Sequence, residues 1–254
     1  MEQIANLNIY NDGMRKSMED KLFFLDKIND DTIDTIVDYG CADGTLLSMT
    51  SDKWHKVGID MNIDMLTEAE ELCKGGEFIL ASNLPRMDGR RSILNLSSVL
   101  HEIYSYGSKD DVLVFWKNLW NSNFDYIVIR DLITDVDEDT RANEKDVEKV
   151  KNPINIYSHG ITSFEKIWGS VWKQKNLLHY LLKYRYIENW DREVKENYFN
   201  LSVDELLGII PNTYEVFYKR TYCLPYVHDR IKRDFGIDVK DTTHIQLILK
   251  KRGK

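Results

Sequence analysis

Two stretches of the chain combine residue types and spacings suited to ligand chemistry. The first is Ile36-Val37-Asp38-Tyr39-Gly40-Cys41-Ala42-Asp43-Gly44, an apolar run that stops in a turn of small residues before a helical pattern near Thr45. Such a turn, at the carboxyl end of a strand, is expected to offer backbone N–H groups to a ligand. Asp60 stands about 20 residues further on, at the end of the next apolar run, where a carboxylate can accept hydrogen bonds from ribose hydroxyls. The rival role for Asp60 is a helix N-cap. The second stretch is Asn95-Leu96-Ser97-Ser98-Val99-Leu100-His101-Glu102. His101 follows a strand there and can serve as general base toward a hydroxyl or amine; its structural alternative is to cap or pack a helix. No second histidine follows at HExxH spacing, so the pair is not a zinc-protease motif. Tyr104, Tyr106, Arg130, Asp131 and His159 are further rim candidates.

Three kinds of ligand compete for the turn. A phosphate-cradling loop of the GxxxxGK[ST] type needs Lys-Ser or Lys-Thr, and neither follows Gly44. A dinucleotide turn needs GxGxxG, but Ala42 occupies the second glycine position and the third is missing. The second glycine lets backbone approach a pyrophosphate, so a Cβ there matters less to a ligand without phosphate. S-adenosylmethionine (SAM) is such a ligand.

Asp38-Tyr39-Gly40-Cys41-Ala42-Asp43-Gly44 resembles the D-x-G-x-G-x-G loop of the class I SAM-dependent methyltransferases, with one glycine replaced by Ala42. The resemblance covers about residues 35 to 131 well and 213 to 250 in outline. It implies SAM as cofactor and methyl transfer as the activity. Gly40 and its neighbours Asp38, Tyr39, Cys41, Ala42 and Gly44 would hold the methionyl part, with Ser97 close by. Asp60 would take the ribose, Met61 and Leu84 the adenine faces. Asn83 stands where many relatives carry an acid that reads the adenine edge, and an amide can accept from N6 and donate to N1. The N/D-P-P-Y/F motif of some amine-methylating relatives is absent after the fourth strand. The acceptor is therefore an O or N atom of unspecified identity, with a small molecule or protein favoured over RNA. Two other classes stay open: a non-catalytic SAM-binding partner or sensor, and an NAD-dependent oxidoreductase.

The elements that must position these residues follow from periodicity. Short apolar runs at 35–39, 56–60, 77–81, 92–97, 125–131, 214–218 and 244–249 read as strands. Helical patterns at 14–28, 62–74, 110–120 and 226–235 lie between or beside them. The expected class is α/β: a Rossmann-like, doubly wound, mostly parallel seven-stranded sheet with helices on both faces and an α-helical insertion. One domain over 1–254 is expected, with an N-terminal helical lid at 1–34, a core at 35–133 and 211–254, and the insertion at 134–210. Within the lid, 10–21 is the segment expected to fold over the crevice, although a solvated face is the plainer role for Arg15, Lys16 and Lys21. The charge-dense stretch 134–151 reads as a solvated helix or mobile loop. The insertion mixes Trp168, Trp172, Tyr180, Tyr184, Tyr186 and Trp190 with Lys183, Arg185 and other basic residues. That mixture suits a core or a homodimer contact better than substrate or nucleic-acid recognition.

Composition bounds the rest. The chain has 254 residues, 43% of them hydrophobic and 30% charged, with a formal net charge of -8. Mean hydropathy is -0.45. These values describe an ordinary folded chain rather than a disordered one. The acidic balance disfavours non-specific binding to a polyanion, while leaving room for a local basic face. No apolar run approaches the ~18 residues of a membrane span, and the first residues lack a secretory pattern. Cys41, Cys73 and Cys223 form no CxxC pair. They point to a reducing cytoplasm, with no disulfide framework and no metal site.

Overall fold

The computed structural model describes residues 17–253. Seven strands form one sheet: β1 (Thr35–Tyr39), β2 (His55–Asp60), β3 (Glu77–Leu80), β4 (Ser92–Ser97), β5 (Tyr126–Leu132), β6 (Tyr214–Tyr222) and β7 (His244–Lys251). Their order is β3-β2-β1-β4-β5-β7-β6. The pairs β1·β2, β1·β4, β2·β3 and β4·β5 are parallel. At the other end, Lys251 N–H donates to the Asp125 carbonyl and Arg252 N–H to the Thr213 carbonyl. The end of β7 thus meets the starts of β5 and β6, so β7 runs against both neighbours. The chain winds outward from β1 to β3 and then returns to place β4 on the other side of β1. The carboxyl ends of β1 and β4 therefore flank a topological switch point, where sheets of this kind bind ligands.

The central strands are apolar because both their faces are covered. Ile36, Val37, Ile93, Leu94 and Leu96 are all fully buried. Four helices accompany this part of the chain: α1 (Thr45–Ser48), α2 (Ile63–Leu72), α3 (Leu100–Tyr106) and α4 (Lys109–Asn121). Asn62 caps α2, its side chain accepting from the N–H groups of Asp64 and Met65. Ser108 and Asp111 form a reciprocal capping box on α4. The expected helix over 14–28 is helical over 17–21 and tightens into a 3-10 turn at Leu22–Asp26, where adjacent Phe23 and Phe24 are both buried.

The described chain divides into two compact units. One contains Ser17–Asp131, Gly208–Arg220 and Ile245–Lys254. The other includes Leu132–Leu207 and Thr221–His244, with α5 (Glu144–Lys151), α6 (Ile161–Trp168), α7 (Gln174–Lys183), α8 (Trp190–Glu193), α9 (Val203–Gly208) and α10 (Pro225–Phe235) among its elements. In this second unit α7 is buried over Leu177–Lys183. Phe164, Tyr180, Tyr184, Phe199 and Ile231 form its core with α7's leucines. Two basic residues there are consumed internally. Lys183 donates to the Glu193 carbonyl at 2.5 Å and lies 3.6 Å from the Tyr198 ring centre. Burial lowers its pKa to about 8, against the pull of Glu193 and Glu196. Arg185 pairs with Asp234 at 2.6 Å. Among the described residues, no helix is long and apolar enough to cross a membrane.

Gly44 shows how closely the first unit is packed. Its φ is +73°, and an added Cβ would lie 2.9 Å from the Ala69 Cβ of α2. Gly75 has φ +88° with open space around it. Gly44→Ala should cost roughly 2–4 kcal/mol, from left-handed strain plus overpacking. Gly75→Ala should cost only the strain, roughly 1–2 kcal/mol. Urea unfolding of both variants checks this; equal losses would show that Ala69 yields freely.

Candidate functional site

The turn after β1 winds through three left-handed residues: Gly40 (φ 78°), Ala42 (φ 46°) and Gly44 (φ 73°). Four of its five N–H groups are spent on internal acceptors, where the sequence led us to expect them turned to a ligand. The N–H groups of Gly40 and Cys41 donate to the Ile59 carbonyl at 2.8 and 3.1 Å, and Gly44 N–H donates to the Cys41 carbonyl. Ala42 N–H donates to Asp60 Oδ2 at 3.0 Å. A turn packed beside a strand end must satisfy its own backbone, and the end of β2 supplies the acceptors. The turn is left with few donors to cradle a phosphate. The Cys41 side chain is buried, and burial pushes its thiol pKa far up.

Asp60 closes β2. Its Oδ2 holds Ala42, and its Oδ1 accepts from Asn62 N–H at 2.9 Å. The residue that caps α2 is Asn62, not Asp60. Asp60 is half-buried, and each carboxylate oxygen has a second lone pair for an outside donor. Around it stand exposed apolar side chains: Met61 is 77% exposed and Leu80 57%. Asn83 is exposed and Leu84 half-buried on the segment after β3. The Tyr39 hydroxyl donates to the Ser82 carbonyl of that segment at 2.9 Å.

Asp38 lies in register with Asn95 across β1·β4. Asn95 Nδ2 donates to Asp38 Oδ1 at 2.7 Å, and Ser97 Oγ donates to Asn95 Oδ1 at 3.0 Å. All three are buried. Burial raises the Asp38 pKa to about 6, against the Asn95 bond and the attraction of Lys21. Lys21 belongs to the helical segment at 17–21. Its ammonium pKa is lowered by burial and by Arg130, opposed by Asp38, Asp131 and Asp43. Asp20 anchors that segment, with Arg130 Nε 2.6 Å from its Oδ2 and Gln246 Nε2 3.0 Å from its Oδ1. The rest of the expected lid, 10–16, lies outside the described residues, as do Arg15 and Lys16.

His101 and Asp131 are both buried and meet at 2.7 Å, Nδ1 to Oδ1. The other carboxylate oxygen of Asp131 accepts from the N–H groups of Val99 and Leu100 at 3.0 and 2.7 Å, at the start of α3. Toward an ionised carboxylate His101 Nδ1 is the donor, and in a neutral ring Nε2 is then the acceptor. Arg130 reaches Asp20 and the Ser98 hydroxyl. Tyr104 accepts from Trp116 Nε1 at 2.9 Å, and Tyr106 is exposed. His159, in the other unit, donates through Nδ1 to the Ile156 carbonyl. Among the described residues, no group of three or more His, Cys, Asp or Glu is placed to hold a metal ion. Asn95 and the Asp131 partnership were not found from sequence, and Lys21 was read as lying on a solvated face rather than beside Asp38. Asn95 carried a signal, since it sits at the fourth position of its strand as Asp38 does of the neighbouring one.

Asp38 makes a pH signature. It binds its proton more readily folded than unfolded, so stability falls as pH rises from the ordinary carboxylate range through about 6. Asp38→Asn keeps a partner for Asn95 and removes the charge. Relative to wild type it should gain stability across that window, by an amount on the order of 3 kcal/mol at neutral pH. Denaturation of both proteins as a function of pH tests this; a pH-independent difference would remove the burial argument.

No family model and no curated protein matches the sequence. Solved structures do match. A SAM-dependent methyltransferase from Anabaena variabilis aligns with a TM-score of 0.55 at 11% identity, over 94% of this chain and 85% of that one. A protein from Listeria monocytogenes assigned to the same class of enzymes aligns at 0.52 and 12% identity, over 94% of this chain and 100% of that one. The plantazolicin methyltransferase BamL, solved with a triazolic desmethylPZN analog and SAH, aligns at 0.50 and 12% identity, over 97% and 88%. The chain has the Rossmann-like fold of the class I SAM-dependent methyltransferases.

Proposed function

We propose that this chain is a SAM-dependent methyltransferase acting on an O or N acceptor. The observation that carries this reading is the Asp60 carboxylate. It stands beside the switch point with lone pairs to spare, next to a turn in which four of the five N–H groups are already taken. That combination suits a ribose-bearing ligand without phosphate and disfavours a dinucleotide. SAM would supply a methyl group already activated by its sulfonium.

The chain's own residues then bind and orient. Asp60 accepts from the ribose hydroxyls. Exposed Met61 and half-buried Leu84 offer apolar surface to the adenine faces, and Asn83 offers its amide to the edge. Asp38, with Gly40, Ala42, Gly44 and Ser97 around it, favours the methionyl ammonium by charge. His101, held by Asp131 with Nε2 as acceptor, takes the proton that an attacking hydroxyl or amine must lose. Holding acceptor and methyl group in line can lower the barrier by roughly 7–11 kcal/mol. The acidic charge favours a small molecule or protein as acceptor over RNA. The three free cysteines fit a reducing cytoplasm.

Calorimetry should show SAM and its demethylated product binding while NAD gives no heat; the reverse pattern would replace this reading with an oxidoreductase. Asp60→Ala should weaken the product's binding by on the order of 1.5–3 kcal/mol, the worth of a charge-assisted hydrogen bond. Unchanged affinity would leave Asp60 as a brace for the turn alone. In a labelled-methyl transfer screen over metabolite, protein and RNA fractions, His101→Ala should slow turnover roughly 10²–10⁴-fold with product affinity preserved. Binding without turnover of any fraction would favour a non-catalytic sensor.

A further inference from the structure

We infer that Tyr39 is a positioning residue that lets the chain read the edge of the adenine ring. The inference rests on the cofactor reading above. Tyr39 is the last residue of β1 and is half-buried. Its backbone leads into the glycine turn, but its side chain spans to another element. The hydroxyl donates to the Ser82 carbonyl, 43 positions along the chain, at 2.9 Å. The ring rests on Phe115 of α4, with centroids 5.7 Å apart, and Phe115 rests in turn on Trp116 at 5.3 Å. Burial and the nearby Asp60 raise the Tyr39 pKa, so the hydroxyl remains a donor at working pH.

The segment it reaches has few other supports. β3 ends at Leu80, and residues 81–84 carry no helix or strand. Among the described residues, this segment makes two hydrogen bonds to the rest of the protein: Ala81 N–H to the Asp60 carbonyl at 3.2 Å, and the Tyr39 bond. Ser82 and Asn83 are both exposed. The Asn83 amide itself has no hydrogen bond to the protein among the described residues, so all its capacity is available to a ligand. Drawing the Ser82 carbonyl toward Tyr39 fixes the plane of the peptide that leads into Asn83. A fixed peptide fixes the point from which the amide reaches. Without the hydroxyl, only the Ala81 bond remains. Asn83 would then meet the base from a spread of positions, at an entropic cost to each hydrogen bond formed.

The test compares two ligands on one protein: S-adenosylhomocysteine and its analogue whose purine lacks the 6-amino group. Wild type should prefer the adenine ligand roughly 3–10-fold, the worth of one neutral hydrogen bond. Tyr39→Phe keeps the ring on Phe115 and removes the hydroxyl; its preference should shrink to twofold or less. Asn83→Ala, on an exposed segment, should abolish the preference, and adding Tyr39→Phe to it should change the ratio no further. A purely structural role for Tyr39 would lower thermal stability and leave the ratio intact. Full preference in Tyr39→Phe, or none in wild type, would overturn the inference. Failure of wild type to bind S-adenosylhomocysteine at all would instead overturn the cofactor reading.

Discussion

Ile59 and Asp60, the last two residues of β2, supply the acceptors for three consecutive N–H groups of the turn after β1. This exchange governs the rest of the site. A turn with three left-handed residues cannot satisfy its backbone by ordinary helical or strand pairing. It takes acceptors from the neighbouring strand and is thereby fixed in height and direction. The same bonds leave Asp60 with one internal partner per oxygen, so the carboxylate is oriented before any ligand arrives. Ala42 bears the strain of this arrangement, because it occupies a left-handed position with a Cβ.

The acids of the site divide between two environments. Asp60 is half-buried and held by backbone N–H groups, whereas Asp38 is buried and held by one amide. Burying a carboxylate without full pairing destabilises the fold, which is why its pKa climbs to about 6. Lys21 offsets part of that cost, and it stands where it does because Asp20 is tied to Arg130 and Gln246. A negative charge kept in an unfavourable place is ready for a cation supplied from outside. In the role proposed for Asp38, stability and binding pull in opposite directions.

Much of the sheet was legible in the chain, because short β-branched runs ending in Gly or Asp carry their own boundaries. Thr35–Tyr39 and Ser92–Ser97 begin and end as their apolar patterns indicate. Positions that depend on a distant partner were not legible. α3 follows β4 after Ser98, a left-handed serine that no propensity marks as a turn. Asp131 read only as a rim candidate, and nothing local showed that it would take the N–H groups at the start of α3 together with His101. The direction of the turn's N–H groups was also misjudged, since glycine spacing says where a chain bends and not where its donors find acceptors. In the second unit, aromatic residues at helical spacing indicated burial, but not that Lys183 would be enclosed with them.

Asp131 holds the start of α3 with one oxygen and His101 with the other. The imidazole's bearing is consequently inherited from secondary structure. Losing the acid would unseat a helix as well as an imidazole, whereas losing the histidine would leave the bonds to the helix in place. A lineage that replaced His101 would still be held to the acid by the N–H groups of Val99 and Leu100. In such descendants Asp131 would persist as a relic of architecture, and its presence alone would say nothing about chemistry.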